Sequence, residues 1–128
     1  MLTIYRFVTY LVLVLSPIIV LFRIFRNKEH PKRFLEKYSL NKIKKKTGKT
    51  VWFHGSSVGE ILSSIPVIEK LEKKKDIKQI LLTSNTLSSS KIIKQFKLNK
   101  TVHQFFPLDV NFITLKFLNY WKPNLVIF

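Results

Sequence analysis

Thr50–Glu60 reads T-V-W-F-H-G-S-S-V-G-E and carries the strongest structural signal in the chain. It opens with the apolar, strand-favouring run Val51–Phe53, breaks at Gly55 and passes two serines before Glu60. Apolar residues then recur at helical spacing, at Ile61, Leu62, Ile65 and Ile68. The stretch therefore predicts a strand, a tight loop and the start of a helix. In an open α/β sheet, ligands bind at turns of this kind.

Two interpretations of Glu60 are open. Ser57 and Glu60 fit the capping box S-x-x-E, in which the Ser57 hydroxyl accepts from the Glu60 amide and the Glu60 carboxylate accepts from the Ser57 amide. In that case Glu60 only starts a helix. Alternatively, Glu60 is a general base at the mouth of the sheet. Spacing alone favours the cap, because capping boxes are common.

The composition points to an anionic partner. The chain has 128 residues, enough for one modest domain, and 23 Lys and Arg against 7 Asp and Glu give a formal net charge of +16. This balance favours nucleic acid, an anionic membrane surface or a phosphorylated substrate. The absence of cysteine excludes disulfides and thiolate metal sites, and His30, His54 and His103 lack metal-ligand spacing.

Residues 1–25 predict a membrane anchor. Phe7–Phe22 is almost wholly apolar, and Leu2–Phe25 is long enough to cross a bilayer if the flanking arginines reach the headgroups. A buried core helix is one alternative. A cleaved signal peptide is another, although no small-residue cleavage site follows and Arg23 comes directly after the apolar run. The pattern leaves open whether the anchor spans the membrane or lies in its interface.

Residues 26–49 form a basic connector. By the positive-inside rule, this side of the anchor faces the cytoplasm, and such a segment also attracts anionic headgroups. A solvated charge run with no specific partner is the alternative. Within the connector, Pro31–Tyr38 predicts a short helix. The basic residues are Arg26, Lys28, Lys32, Arg33, Lys42, Lys44, Lys45, Lys46 and Lys49.

Residues 50–128 predict a Rossmann-like domain. Further strands are expected at Gln79–Thr83, at Val102–Phe106 and, as the beginning of a fourth, at Leu125–Phe128. Helical patterns alternate with these strands, which indicates a parallel α/β sheet. Polar turn residues follow the strand ends, so we expect them to line one crevice. Because a parallel sheet needs both faces covered, the chain is expected to be an incomplete piece of a larger protein.

The helices between these strands have recognisable boundaries. The first should run from Glu60 to about Lys74 and bend at Pro66. The second should be capped within Ser88–Ser90 and run through Phe96. Asp109 is the expected cap of the last helix, which Pro123 ends. The apolar positions of that helix include Phe112, Leu115, Phe117 and Leu118.

Several motifs in order resemble one family. Trp52–Glu60 resembles the H-x-x-S-V-G-E signature of the 3-deoxy-D-manno-octulosonic acid (Kdo) transferases of lipopolysaccharide synthesis. Arg33–Tyr38 looks like the family's R-x-G-E-R-[FY], and Leu82–Thr86 is similar to its V-T-T-x-T. With the apolar anchor, the resemblance covers essentially the whole chain. Three further segments look like the family's P-x-D, R-F-L and P-x-L motifs, namely Pro107–Asp109, Lys116–Leu118 and Pro123–Leu125.

The resemblance implies the amino-terminal half of a two-Rossmann (GT-B) glycosyltransferase at the cytoplasmic face of the bacterial inner membrane. This half would receive the lipid A precursor, and a carboxyl-terminal domain would bind the donor CMP-Kdo, with no cofactor and no specific nucleic acid. Glu60 matches the family's general base for an inverting single displacement. Arg33 or neighbouring lysines would pair with acceptor phosphates. The other expected substrate-binding residues are Ser56, Ser57, Gly59, Thr83, Ser84 and Thr86. For the serines and threonines among them, capping of the loops is the open alternative.

The chain also departs from the family pattern. Leu35 and Lys37 replace a glycine and an arginine in the connector motif, and Ser84 and Ser89 replace a threonine and a glycine near the second strand. The family's E-x-E-x-W-P segment and donor-binding domain are not in these residues, so the chain alone is expected to be inactive in transfer.

A hypothesis from another class is a small basic membrane protein that binds anionic lipid or nucleic acid non-specifically. It predicts binding that weakens steeply with salt. The serine-rich turns at the predicted sheet edge favour the transferase.

Overall fold

The computed structural model describes residues 1–40 and 43–128. Asn41 and Lys42, in the predicted connector, lie outside the described residues. A short 3-10 helix, Phe34–Tyr38, precedes the sheet. The helices of the described part are α1 (Leu2–Phe25), α2 (Val58–Glu72), α3 (Leu87–Ile93) and α4 (Asn111–Trp121), and its strands are β1 (Lys49–Gly55), β2 (Ile77–Ser84), β3 (Thr101–Phe105) and β4 (Leu125–Ile127).

The strands form one parallel sheet in the order β3-β2-β1-β4. Val51 pairs with Leu125 on one side of β1, and Gly55 pairs with Ser84 on the other. The predicted β-α-β-α-β-α-β order is therefore confirmed. All four carboxyl ends lie at one edge of the sheet because every pairing is parallel.

Both faces of the sheet carry buried apolar side chains. Consecutive residues of β1 point to opposite faces, so Val51 and Phe53 pack beneath α2 and α3 while Trp52 packs with α4. The first cluster contains Ile61, Ile68, Ile80, Leu82 and Ile93, and the second contains Leu81, Phe117 and Trp121. This two-sided burial explains why the strands read as continuous apolar runs.

α2 begins at the predicted cap, Ser57, and contains Pro66 as expected. It ends at Glu72 rather than at Lys74. Leu62, counted in the predicted apolar run, is 42% exposed, while Ile61, Ile65 and Ile68 are buried. The buried residues recur every third or fourth position, which is the period of one helical face.

The predicted cap of α3 is wrong. Thr86, rather than a residue of Ser88–Ser90, caps the helix, because its Oγ1 accepts from the Ser89 amide at 3.2 Å. Ser89 and Ser90 are instead buried within the helix. The helix ends at Ile93, short of the predicted Phe96.

The predicted cap of α4 is also wrong. The helix follows Val110 without a side-chain cap, and the Asp109 carboxylate accepts from the Tyr5 hydroxyl of α1 at 2.8 Å. The inward face of α4 is formed by Ile113, Phe117 and Trp121. Of the predicted apolar positions, Phe112 and Leu115 are each 56% exposed and Leu118 is 37% exposed.

The connector covers the outer edge of β3. The short helix predicted within Pro31–Tyr38 is present as the 3-10 helix Phe34–Tyr38. Its Glu36 carboxylate accepts from the amide of Phe105, the last residue of β3, at 2.9 Å. The contact satisfies a backbone donor that an edge strand would otherwise leave open.

α1 is the predicted apolar amino-terminal helix. Its 24 residues are long enough and apolar enough to cross a membrane. Only 11% of its most apolar stretch is buried, so the buried-core alternative is wrong. One stripe of the helix lies against the rest of the chain, and its remaining surface is exposed.

Candidate functional site

The β1–α2 turn lies at the carboxyl edge of the sheet. β1 ends at Gly55, and the exposed residues Ser56 and Ser57 lead into α2. A side chain at Gly55 would lie 2.7 Å from the Ile61 Cδ1 atom, so glycine lets the first turn of α2 pack closely on the strand end.

Glu60 is held in this turn by two hydrogen bonds. The Ser57 Oγ accepts from the Glu60 amide at 3.2 Å, as predicted. The Glu60 Oε2 accepts from the Ser56 amide at 2.7 Å, so the prediction that it would bind the Ser57 amide is wrong by one residue. Glu60 is exposed. Its other carboxylate oxygen, Oε1, makes no hydrogen bond to the part of the chain that the structure describes.

His54 lies beside this turn and links it to β2. The Thr83 hydroxyl donates to the Phe53 carbonyl at 3.3 Å and accepts from the Trp52 indole at 2.9 Å. The His54 Nδ1 lies 2.9 Å from the same Thr83 hydroxyl. The His54 Nε2 lies 3.2 Å from the Ser56 hydroxyl.

Burial lowers the pKa of His54 below the ordinary 6.5, although the nearby Glu60 charge opposes this. His54 is therefore a neutral ring at neutral pH. Its ring lies 4.3 Å from Phe106 and 5.8 Å from Phe128, measured between centroids. His54 belongs to the motif Trp52–Glu60, but the sequence alone assigns it no role. Its polar character at the end of a buried strand was the available signal.

Thr83 and Ser84 are both fully buried at the end of β2. As consecutive strand residues, they point to opposite faces of the sheet. Thr83 supports His54, whereas the Ser84 hydroxyl lies 2.8 Å from the Nε2 of His103. Both expected substrate-binding residues therefore contact other side chains of the domain.

Arg33 is built into the same edge from the connector. Its guanidinium makes two hydrogen bonds to the Glu36 carboxylate, at 2.7 and 3.0 Å, and one to the His103 carbonyl at 2.7 Å. It also lies 3.0 Å from the Nδ1 of His103. His103 therefore lies between the Arg33 guanidinium and the Ser84 hydroxyl. Burial, together with the Arg33 and Lys94 charges, lowers the pKa of His103 to about 3.

The structure groups the expected site residues in three places. Ser56, Ser57, Gly59 and Glu60 share the β1–α2 turn, with Thr83 beneath it. Ser84 and Arg33 are joined through His103. Thr86 is exposed and caps α3 at the next turn along the edge. Within the described ranges 1–40 and 43–128, no cluster of His, Cys, Asp and Glu could hold a metal ion.

Unlike Gly55, Gly59 has no neighbouring atoms that would exclude a side chain. A side chain there would meet nothing closer than the Ser57 Oγ, at 3.9 Å. Glycine inside a helix costs about 0.5–1 kcal/mol relative to alanine. The open space beside Ser57 and Glu60 is therefore suited to close approach by another molecule.

Comparisons with known proteins identify one family. The family model described as 3-Deoxy-D-manno-octulosonic-acid transferase (kdotransferase) matches residues 30–128. A protein of Arabidopsis thaliana named "Probable 3-deoxy-D-manno-octulosonic acid transferase, mitochondrial" is 36% identical over 96% of this chain and 28% of its own length. No solved structure matches the chain.

Bacterial relatives agree with this finding. The 3-deoxy-D-manno-octulosonic acid transferase of Rickettsia bellii (strain RML369-C) is 32% identical over 100% of this chain and 31% of its own length. The protein of the same name from Haemophilus influenzae is 26% identical over 94% of this chain and 29% of its own length. The chain thus spans less than a third of the length of these relatives.

Proposed function

Because this chain belongs to the 3-deoxy-D-manno-octulosonic acid transferase family, we propose that it forms the acceptor-binding part of an enzyme that transfers Kdo from CMP-Kdo to a lipid A precursor. The reaction belongs to lipopolysaccharide synthesis. The observation that carries the proposal is the geometry of Glu60, an exposed carboxylate fixed through one oxygen at the carboxyl edge of a parallel sheet.

Glu60 is the general base of the proposed reaction. A carboxylate oxygen takes the proton of the acceptor sugar hydroxyl, and the hydroxyl oxygen forms a bond to the anomeric carbon of Kdo. The bond from that carbon to the CMP phosphate breaks on the opposite side, and CMP leaves with the electron pair. The hydrogen bond from the Ser56 amide orients Oε2, and Oε1 makes no hydrogen bond within the described residues and is the oxygen that takes the proton in this proposal. The transfer inverts the anomeric centre and needs no cofactor.

Other residues of the edge bind or support the acceptor. Ser56, Ser57 and Thr86 are exposed and offer hydroxyls, and Gly59 leaves room beside them. Thr83 acts through His54, which its hydroxyl orients. Ser84 acts on the other face through His103, which contacts Arg33.

Arg33 contributes to phosphate binding in this proposal. Its Nε and Nη2 atoms are used within the domain, and Nη1 makes no hydrogen bond to residues 1–40 or 43–128. The side chain is 23% exposed, and in the proposal Nη1 donates to an acceptor phosphate.

The donor is bound by a second domain of the GT-B type, outside these 128 residues. We therefore expect the chain alone to bind acceptor without transferring Kdo. α1 attaches the protein to the bacterial inner membrane, and the basic residues that follow it favour the cytoplasmic face.

A second candidate follows from the net charge of +16. A basic membrane protein would bind any anionic lipid, or nucleic acid, through charge alone. A measurement of acceptor binding distinguishes the two candidate functions. The probe is a lipid A precursor in neutral detergent micelles, compared with phosphatidylglycerol in the same micelles, and heat of binding is measured at low and high salt.

The transferase proposal predicts that the precursor binds at least about tenfold more tightly than phosphatidylglycerol, a difference of about 1.4 kcal/mol. Gly59→Trp should remove this preference by filling the open space, while Lys70→Trp, on the exposed side of α2, should retain it. Equal affinity for both lipids, lost in parallel as salt rises, would support the charge-only function and contradict acceptor recognition.

A further inference from the structure

α1 faces the rest of the protein through one narrow stripe. Its less exposed positions recur every third or fourth residue along the helix, at Thr9, Leu13, Ser16, Val20, Arg23 and Ile24. This spacing marks a single side of an α-helix. Tyr5 continues the same spacing at the amino end. From Tyr5 to Arg23 the stripe is about 27 Å long at about 1.5 Å per residue, so the helix lies alongside the domain over most of its length.

Polar contacts attach the stripe at its beginning, middle and end. The Tyr5 hydroxyl donates to the Asp109 Oδ2 at 2.8 Å. The Ser16 hydroxyl lies 2.5 Å from the Tyr38 hydroxyl. The Arg23 Nε pairs with the buried Glu29 carboxylate at 3.0 Å. These contacts fix the helix against the loop after β3, the 3-10 helix and the start of the connector.

The opposite side of α1 is apolar and exposed. Phe7, Val14 and Leu21 are seven residues apart on that side and are 70%, 74% and 58% exposed. A surface helix in water has the reverse arrangement, with its apolar side toward the protein. Arg6 and Arg26 stand near the ends of the helix, and further basic residues follow in the connector. An apolar medium with an anionic surface matches this arrangement of apolar and basic groups.

The lateral contacts decide how α1 can sit in such a medium. If α1 crossed the bilayer, the segments beside it would lie at hydrocarbon depth. The 3-10 helix, whose Tyr38 contacts Ser16 in the middle of α1, would then lie near the centre of the bilayer, and the irregular backbone around Asp109, which contacts Tyr5, would lie toward its far side. Irregular backbone exposed to lipid and polar side chains at that depth are both strongly unfavourable. None of these costs arises if the helix lies parallel to the surface with only its outer side in the acyl region.

We infer that α1 is an in-plane membrane helix that docks this domain flat on an anionic lipid surface. The inference rests on the membrane attachment proposed above and is independent of the transfer chemistry. It has a consequence for the site. The Tyr5–Asp109 contact joins α1 to the loop after β3, which lies at the same sheet edge as Glu60. The in-plane helix therefore brings the acceptor-facing edge of the sheet to the lipid surface.

Depth-dependent fluorescence quenching tests the inference. The chain has no cysteine, so Phe7→Cys, Val14→Cys and Leu21→Cys each provide one labelling position on the outer side of α1. Lys70→Cys, exposed on α2, is the matched control outside the membrane. Each full-length variant is labelled with an environment-sensitive fluorophore and bound to vesicles of phosphatidylethanolamine and phosphatidylglycerol. Quenchers attached at different depths of the acyl chains then report the position of the label.

An in-plane helix predicts equal depths for all three α1 labels, about 5–10 Å into the boundary between headgroups and acyl chains. The control label should remain unquenched. A spanning helix would place the Val14 label about 10 Å deeper than the other two, at about 1.5 Å per residue, and this result would overturn the inference. Quenching of none of the labels would instead refute membrane attachment itself.

A second measurement uses the ends of the helix. Thr3→Cys and Lys28→Cys should both react with a membrane-impermeant maleimide added to preformed vesicles, because both ends of an in-plane helix stay on the side of addition. Reaction of one position and protection of the other until the vesicles are dissolved would establish a spanning helix and overturn the inference. Neither outcome depends on Glu60, so transfer activity is tested separately.

Discussion

Glu60 shows how a capping residue can also fit the general-base role that we propose for it. One oxygen accepts from the Ser56 amide, which fixes the carboxylate at the amino end of α2. The hydroxyl of Ser57 accepts from the Glu60 amide and fixes the backbone of the same turn. The capping and catalytic interpretations of the sequence are therefore compatible. A carboxylate whose orientation is already fixed loses less conformational entropy when an acceptor hydroxyl binds.

Gly59 provides a test at the scale of one residue. Since a side chain at this position meets open space, Gly59→Ala should stabilise the domain by about 0.4–1 kcal/mol through lower entropy of the unfolded chain. The same methyl group would occupy the space beside Ser57 that we propose for the acceptor. Chemical unfolding gives the stability, and calorimetric titration with the lipid A precursor gives the affinity, which should fall.

Gly55→Ala is the contrasting variant. Its side chain would lie 2.7 Å from Ile61, so it should destabilise the domain. If Gly59→Ala were more stable and bound the precursor as well as the wild type, the open space beside Ser57 would have no role in binding.

At the scale of elements, the strands and their order were predictable because buried parallel strands form continuous apolar runs. The helix caps were less predictable. Asp109 has the right chemistry for a cap, but it binds Tyr5, 104 residues away in sequence. Thr86 caps α3 a little earlier than the serine run suggested. Local sequence identifies a residue able to cap a helix, whereas the packing of distant segments selects the residue that does so.

The candidate site shows the same contrast between contacts that are local in sequence and contacts between distant segments. Ser57 and Glu60 were predictable because their contact spans one helical turn. The group formed by Arg33, His103 and Ser84 was not, since Arg33 and His103 are 70 residues apart and meet only when the connector covers the edge of β3. A spacing rule cannot anticipate a contact between segments of such different sequence position.

Glu72 supports a prediction for the junction between α2 and β3. Its carboxylate accepts from the amides of Asn99, Lys100 and Thr101, each at 2.9 Å, and from the Thr101 hydroxyl at 2.7 Å. Burial opposes its ionisation, but these hydrogen bonds outweigh that effect and hold its pKa below the ordinary 4.5. Glu72→Gln should lower the free energy of unfolding by about 1 kcal/mol or more at neutral pH, because it removes charge-assisted hydrogen bonds.

The same prediction has a definite pH dependence. Because the folded pKa of Glu72 is depressed, its stabilising effect is complete above pH 4.5 and is lost as the pH falls through the folded value. The difference between wild type and Glu72→Gln should therefore shrink on acidification, as followed by denaturant unfolding. Glu69→Gln, an exposed carboxylate on the same helix, is the control. An equal loss in both variants, or a constant difference at all pH values, would refute this role.

At the scale of the whole molecule, charge and apolar surface act together. In our proposal, the net charge of +16 attracts the protein to an anionic surface, and the exposed apolar side of α1 enters that surface. Helices α2, α3 and α4 pack on the two faces of the sheet that carries this carboxyl edge. In our proposal, this edge meets the lipid acceptor, and a donor domain completes the cleft above it.

The most direct test of this account is the turnover of Glu60→Gln in protein that carries this chain together with a donor-binding domain. Transfer from CMP-Kdo to a lipid A precursor is measured at saturating substrate, beside Glu69→Gln as control. We predict that kcat falls by roughly 10²–10⁴-fold, the usual contribution of a general base, while acceptor affinity and unfolding temperature stay close to those of the control. Turnover of Glu60→Gln equal to that of Glu69→Gln would contradict the assignment of Glu60 as the base.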